Sequence, residues 1–415
     1  MNAPVKLDLP LDVWSMPLDE IDVSDPQLYQ DEAWHPYFER LRQQAPVHYC
    51  ADSRYGPFWS VSRYRDIVEC EVNHAVFSNA INGNQVEDQS LALPRPAFIR
   101  MDPPKHDEQR KVVAPIVAPA NLHNMERLIR ERTQQLLDAL PRGEEFDWVE
   151  EVSIKLTTMM LATLFDFPFE ERDKLTYWSD VAIANVNAPD APVHSEAERF
   201  EELKKMADYM SRLFEERRKL PPKFDLLSML AHGEATREMS LPEFIGNLGL
   251  LIVGGNDTTR NSMTGGLLAL SRFPDEYRKL HANPALIESL VPEIVRYVTP
   301  VIHMRRTTLQ ATEIDGQPIP AGAKVVLWYV SANRDPDALA QPNCLIIDRK
   351  RPRQHASFGF SIHRCVGNRL AELQLRILWE EILLRFPMIE VVGGAQRIYS
   401  NFIQGFKSMP VRIPA

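Results

Sequence analysis

The stretch HASFGFSIHRCVG, residues 355–367, sets one cysteine, Cys365, among two histidines, an arginine and two glycines. A helical pattern follows at once. In VGNRLAELQLRILWEEILLRF, residues 366–386, Ala371, Leu375, Leu378 and Ile382 fall on one face. A helix starting there puts the sulfur of Cys365 at its N-terminus, where unpaired N–H groups and the positive end of the dipole favour thiolate. Gly367 lets backbone approach the sulfur closely.

Four readings of that thiol compete. It is a buried structural cysteine, a nucleophile with a histidine base, a zinc ligand, or a thiolate ligand to haem iron. A zinc site needs further Cys or His ligands at close spacing. His363 is too near in sequence, and none of the four cysteines, Cys50, Cys70, Cys344 and Cys365, forms a CxxC pair.

The rest of the chain narrows the setting. At 415 residues and 44% hydrophobic it buries a large core. No low-complexity run or Gly/Ser linker divides it, so one large fold over 1–415 is expected, with residues 1–30, rich in Pro and Asp, lying over the surface. A net charge of −10 argues against nucleic-acid binding. So few cysteines in so long a chain suit a reducing cytosol. The N-terminus, MNAPVKLDLPLDVW, lacks the basic segment and apolar run of a signal peptide. The longest apolar stretches, such as LGLLIV, fall far short of the ~18 residues that span a bilayer. A cytoplasmic location with no membrane span is expected.

The fold class reads as mainly α with a smaller β portion. PVHYC and PFWSVSRY alternate around ADSRYG as a hairpin. From about 106 to 300 the periodicity is mostly helical. After 300, ATEIDGQPIPAG reads as a hairpin around Asp315-Gly316 and AKVVLWYV as a strand. A helix is predicted over 241–272, with Ser240 and Glu243 as a capping box, Pro242 in the first turn, and Pro274 after the end. Its middle is apolar all round, so it is buried. Yet that middle reads VGGNDTTRN. Each glycine weakens a helix by roughly 1 kcal/mol, and Asp257 and Thr258 bring polar groups where burial is costly. Either two helices cross here over a satisfied polar network, or Gly254 and Gly255 open a cavity that an acid and a hydroxyl face.

FGFSIHRCVG resembles the haem-binding loop of the cytochrome P450 superfamily. EIVR resembles that family's Glu-x-x-Arg, and GGNDTT its oxygen-activating helix motif; all three stand in the family's order, and DPPKHDEQRKVV and IPAG extend the likeness over nearly the whole chain. The resemblance implies a cytochrome P450 fold, a triangular helical prism with haem b (iron protoporphyrin IX) between the long central helix and the cysteine-loop helix. Cys365 would be the axial ligand of the iron, with Phe358 packed near it. His106 and Arg110, Arg306, and His363 would bind the propionates, although Arg305 stands beside Arg306. Glu293 and Arg296 would form a buried scaffold that orders the segment before the cysteine. Asp257 and Thr258 would deliver protons to bound dioxygen, the co-substrate. His355 takes no role. Ser361 stands where relatives carry glycine, which suggests a glycine-like φ or little room there.

By the same resemblance, electrons come from NAD(P)H through a ferredoxin and a ferredoxin reductase, since no flavin or iron–sulfur segment is seen. Arg364, Arg369, Lys111 and Arg353 form a candidate basic dock. The hydrophobic small-molecule substrate would meet the loop 80–100, with Leu91 and Leu93, the 182–197 segment, and Leu250, Val253, Val301, Ile302, Met304, Phe402 and Ile403. FIRMDPPKH, VGGNDTTRNSMTGG, TPVIHMRRT and SFGFSIHRCVGNRLAE are similar to the bacterial soluble alkane hydroxylase branch. That implies attack on the terminal methyl of medium-chain alkanes or fatty acids. Hydroxylation of terpenes or other hydrophobic metabolites, or a haem sensor without oxygen chemistry, are the alternatives.

Overall fold

Ser240 and Glu243 start the longest helix as the capping box predicts: the Ser240 N–H donates to the Glu243 carboxylate at 3.3 Å. The helix runs over the 32 residues Leu241–Arg272, and Pro274 opens a new helix, Pro274–Ala282. At ~1.5 Å per residue it is roughly 48 Å long. The computed structural model describes residues 13–89 and 94–415.

This helix is the spine of the molecule. Its first half, with Phe244, Leu248 and Ile252, belongs to an apolar cluster that includes Leu161, Phe165 and Leu203. Its second half, with Met263 and Leu267, belongs to another that includes Ile294, Leu378 and Trp379. The helices Lys155–Phe165, Asp173–Ile183, Glu196–Arg218, Ile287–Val298 and Asn368–Arg385 all pack on it. Glycines make those contacts close. A Cβ on Gly266 would stand 2.9 Å from the Ile294 side chain, and one on Gly246 would collide with the carbonyl of Pro96. Packing therefore offsets the helix propensity these residues forfeit.

The sheet portion is smaller. Its main sheet has the order Val47–Cys50, Phe58–Val61, Lys324–Trp328, His303–Thr308, Phe77–Ser78. The first pair is the predicted hairpin, and only Phe58–Val61 against Lys324–Trp328 is parallel. Thr312–Ile314 and Gln317–Ile319 pair around Asp315 (φ 48°) and Gly316 (φ 78°), the left-handed pair of a tight hairpin turn. The strand predicted in AKVVLWYV stops at Trp328, and Tyr329–Ala332 is a helical turn.

Of the segment 1–30 expected over the surface, residues 1–12 lie outside the described residues, and 13–30 is exposed at positions such as Trp14, Asp19 and Glu20 but buried at others. Ile21, Val23 and Tyr29 are buried against Trp34, Phe38 and Trp328, and the Tyr29 hydroxyl donates to the Val23 carbonyl at 2.7 Å. The apolar residues scattered through this Pro- and Asp-rich segment drive its burial. Among the described residues, no helix is long and apolar enough to cross a membrane.

Candidate functional site

The cysteine loop folds back on itself before the helix Asn368–Arg385 begins. The Cys365 N–H donates to the Phe358 carbonyl at 2.8 Å, and the Arg364 N–H to the Ser361 carbonyl at 3.2 Å. Burial pushes the Cys365 thiol up, while the Gly367 N–H, Arg110, Arg364 and the Asn368 N–H pull it back down. The sulfur thus sits at a helix N-terminus, as the sequence predicts. It lines an interior cavity. Gly367 lines it too, and a Cβ there would meet no protein atom within 4 Å. Ser361 holds φ at +55°, the left-handed value expected of a glycine.

Cations gather at this end. His106 and Arg110 stand one turn apart on the helix Lys105–Val113. His106 is buried; its Nδ1 meets Asp107 at 2.7 Å, its Nε2 has no partner, and its ring lies 4.4 Å from that of His363. Both ring nitrogens of His363 are buried without a partner. Burial drives His363 down to about 2, helped by Arg306, His106 and Arg110, so it is neutral. Arg306 and Arg110 line the cavity. The neighbouring Arg305 points to the other face of its strand, onto Asp88, so strand alternation resolves which arginine faces inward. Arg306 is bonded at 2.6 Å to buried Glu71, which also accepts from the Tyr329 hydroxyl and, at 2.9 Å, from the Phe360 N–H. A sulfur, orphaned imidazole nitrogens and two arginines facing one cavity fit a group with a thiolate-binding metal and two carboxylates. They fit haem.

The long helix supplies the opposite wall. Gly254 and Thr258 line the cavity, and the Thr258 hydroxyl donates to the Gly254 carbonyl at 3.2 Å. A Cβ on Gly254 would meet nothing within 4 Å, so Gly254 keeps the groove open. Gly255 differs: a Cβ there would stand 2.8 Å from the Leu161 side chain, so this glycine chiefly admits the neighbouring helix.

The expectation that an acid and a hydroxyl face one cavity is corrected for the acid. Asp257 is fully buried and points away, ion-paired to Arg260 and accepting from the Ser179 hydroxyl. One residue turns a helix by about 100°, which here leaves Thr258 on the cavity side and carries Asp257 off it. Arg260 also reaches Asp180 at 2.7 Å. Burial raises Asp257 to about 6 against the pull of Arg260, and Asp180 adds to the rise.

Glu293 and Arg296 are joined by bonds of 2.8 and 2.7 Å, both buried to 0% exposure. Arg296 also donates to the carbonyls of Asn333, Pro342 and Cys344. The sequence reading missed a third member, Arg349, which bonds Glu293 at 2.9 Å. Burial alone would raise Glu293; the two arginines outweigh it and hold the carboxyl below its usual range. Buried His355 stands against Phe358 with ring centroids 5.3 Å apart, a core histidine that burial drives to about 3.

Between the two ends the walls are apolar. Leu250, Val253, Val301, Met304, Phe402 and Ile403 line the cavity, with Ala182 and Ile183 from the 182–197 segment. Ile302 does not. It is buried with Phe58 and Trp328 because Val301, its neighbour in extended chain, takes the cavity side through its bridge to Ile403. Leu91 and Leu93 lie outside the described residues. Asn84, Arg95 and Arg100, from the loop 80–100 expected there, also line the cavity, though sequence reasoning did not single them out.

A cysteine at a helix start, facing a glycine-opened helix across a cation-lined cavity, defines a haem-thiolate protein. The comparisons agree. The chain belongs to the cytochrome P450 family: residues 25–398 match the family model Cytochrome P450. It is 45% identical to the solved Cytochrome P450-153 from Novosphingobium aromaticivorans, with a TM-score of 0.89, covering 94% of this chain and 99% of that one. Against CYP153D17 from Sphingomonas sp. PAMC 26605 the values are 44%, 0.90, 96% and 100%. It is also 36% identical to linalool 8-monooxygenase of Pseudomonas putida, over 94% of this chain and 98% of that protein. The protein is therefore a P450 monooxygenase of cytochrome P450 fold that uses haem and dioxygen, with electrons from partner redox proteins.

Proposed function

We propose that this P450 hydroxylates the terminal methyl of medium-chain alkanes or fatty acids. The observation that carries the reading is the cavity, which the Cys365 thiol and the Thr258 hydroxyl line together with Leu250, Val253, Val301, Met304 and Phe402. Apolar walls of this kind take an apolar chain. Attack on a primary C–H bond, the strongest in the chain, requires that only the chain end reach the reacting centre. The likeness of four sequence stretches to the alkane hydroxylase branch supports the choice.

In this reading Cys365 holds the iron, Phe358 packs beside it, and His106, Arg110, Arg306 and His363 hold the propionates. Gly367 and Gly254 leave open space in the cavity, where a Cβ would meet no protein atom, and would give the haem room. The haem, when bound, supplies activation of dioxygen. Thr258 keeps its hydroxyl proton at the cavity wall. Asp257, raised to about 6 and held off the cavity by Arg260 and the Ser179 hydroxyl, would take up a proton from water and carry it inward only when its contact with Arg260 loosens. Glu293, Arg296 and Arg349 hold the segment that leads to the cysteine loop. Electrons arrive in the cytoplasm from NAD(P)H through a ferredoxin and its reductase, docking beside exposed Arg364 and Arg369.

A carbon-monoxide difference spectrum of the reduced protein tests thiolate ligation. Turnover of octane with ferredoxin and reductase tests the rest: mostly 1-octanol is expected, and mainly internal alcohols would overturn the terminal reading. A second reading, a terpene substrate, is favoured by the similarity to linalool 8-monooxygenase. Efficient turnover of linalool with none of octane would establish it.

A further inference from the structure

Besides Arg110 and Arg306, two more arginines line the cavity, Arg95 and Arg100. They sit on the segment 94–100, which is pinned to the long helix: the Phe98 N–H donates to Asn247 Oδ1 at 3.0 Å, and Gly246 admits the Pro96 carbonyl where any Cβ would collide. The arginines are therefore held in place by the fold.

Their ion pairing is uneven. Arg95 reaches Glu196 only at 3.8 Å, and Glu196 is already paired with Arg199. Glu87 lies near both Arg95 and Arg199. Arg100 has no carboxylate within ion-pair distance among the described residues. Its Nε donates to Asn84 Oδ1 at 2.8 Å and its Nη1 to the Arg95 carbonyl at 3.1 Å, which leaves Nη2 without a hydrogen-bond partner among them. Burial, helped by the charges of Arg95 and Arg199, pulls Arg100 down to about 10. An uncompensated guanidinium in a low-dielectric cavity is costly, and a ligand that brings a carboxylate removes that cost.

This cluster is separate from the cations around the cysteine. The charges that act on Arg100 are Arg95 and Arg199, whereas those that act on His363 are Arg306, His106, Arg110 and His74. One cavity thus holds a second pair of arginines besides Arg110 and Arg306, and Leu250, Val253, Val301, Met304 and Phe402 line it too.

We propose that Arg100, steadied by Asn84 and assisted by Arg95, binds the carboxylate of a chain substrate, so that the preferred substrate is a fatty acid anchored by its head with its methyl end at Thr258 and Cys365. The inference rests on the chain-substrate reading above and selects the acid over the alkane. Arginine forks fit a carboxylate with two hydrogen bonds, which fixes the head and so presents only the far end.

The test is spectral titration of the haem-loaded protein with dodecanoate and with methyl dodecanoate, the same chain without the charge. A charge-assisted bond in a cavity predicts that the acid binds about tenfold to a hundredfold tighter than the ester. Arg100→Met should erase that preference by weakening acid binding far more than ester binding, and Arg100→Lys should keep part of it. Turnover of the acid by Arg100→Met should show a raised KM. Equal binding of acid and ester by the unaltered protein would overturn the proposal, as would binding of neither, or an acid preference that survives Arg100→Met. Loss of haem from both Arg100 variants, read in the carbon-monoxide spectrum, would also overturn it, assigning Arg100 to the cofactor instead. Because the titration reads binding alone, it stands apart from the octane assay: internal hydroxylation with an intact acid preference would sink terminal attack and leave the anchor.

Discussion

Ser361 stands where the resemblance to the haem-binding loop implies a glycine, and its backbone is left-handed at φ +55°. A side chain in that region costs roughly 1–2 kcal/mol. Glycine would remove the cost but lose roughly 0.5–1 kcal/mol to extra freedom in the unfolded chain. Relief wins, so Ser361→Gly should stabilise the protein by up to about 1 kcal/mol and raise haem retention. Thermal melting and haem content check this, and equal values in both forms would show that the loop carries serine without strain. Asp257 makes a second prediction at this scale. Its folded pKa, about 6, lies above the ordinary carboxylate value. The native state therefore holds the proton more tightly than the unfolded state does. Stability from this group is full below about pH 4 and is lost as pH rises through about 6. Asp257→Asn should flatten that part of a melting-temperature profile measured between pH 4 and 7, and should slow turnover by removing the proton relay. An unchanged profile would mean that Asp257 titrates elsewhere.

Elements explain why some of the site was legible and some was not. The long helix could be bounded from its own residues because the capping box and the flanking prolines are local chemistry. Thr258 and Cys365 could be placed because each belongs to a short motif with a fixed relation to its helix. Ile302 was misplaced because a run of apolar residues does not say which neighbour faces in until a strand partner fixes the alternation. Arg349 and Glu71 were missed because their partners are distant: Arg349 bonds Glu293 across 56 positions and Glu71 bonds Arg306 across 235. Arg260 was the missed residue with a local mark, since it stands at i+3 from Asp257 on the same helix. The buried triad of Glu293, Arg296 and Arg349 carries its own prediction. Glu293→Ala strands two guanidinium groups and should cost about 3–5 kcal/mol. Arg349→Ala leaves the Glu293–Arg296 pair intact and should cost clearly less. Denaturant melts of both variants decide it; equal losses would show that Arg349 matters as much as the pair.

Over the whole molecule the charge balance is acidic, with a net charge of −10, yet the surface around the cysteine loop is not. Arg364 and Arg369 line a shallow surface pocket beside Cys365, together with Arg110. Lys111, Arg364 and Arg369 are exposed, and none makes a side-chain ion pair among the described residues. Arg353, the fourth residue of the expected dock, is instead engaged by Glu372 at 3.2 Å, which weakens its claim. A local basic patch on an acidic body steers an acidic partner to one face while repelling it from the others. Such steering is screened over about 8 Å at physiological salt, so it shows in the association step and fades as salt rises. Turnover driven by a ferredoxin should therefore show a KM for ferredoxin that climbs with ionic strength, while turnover driven by peroxide, which needs no partner, should respond little. The double variant Arg364→Glu, Arg369→Glu should raise that KM about tenfold or more and flatten its salt dependence, with the carbon-monoxide spectrum unchanged. Arg353→Glu should do much less, because its charge is already partly spent on Glu372. If the double variant kept the salt slope of the unaltered protein, the electron donor would have to dock on another face.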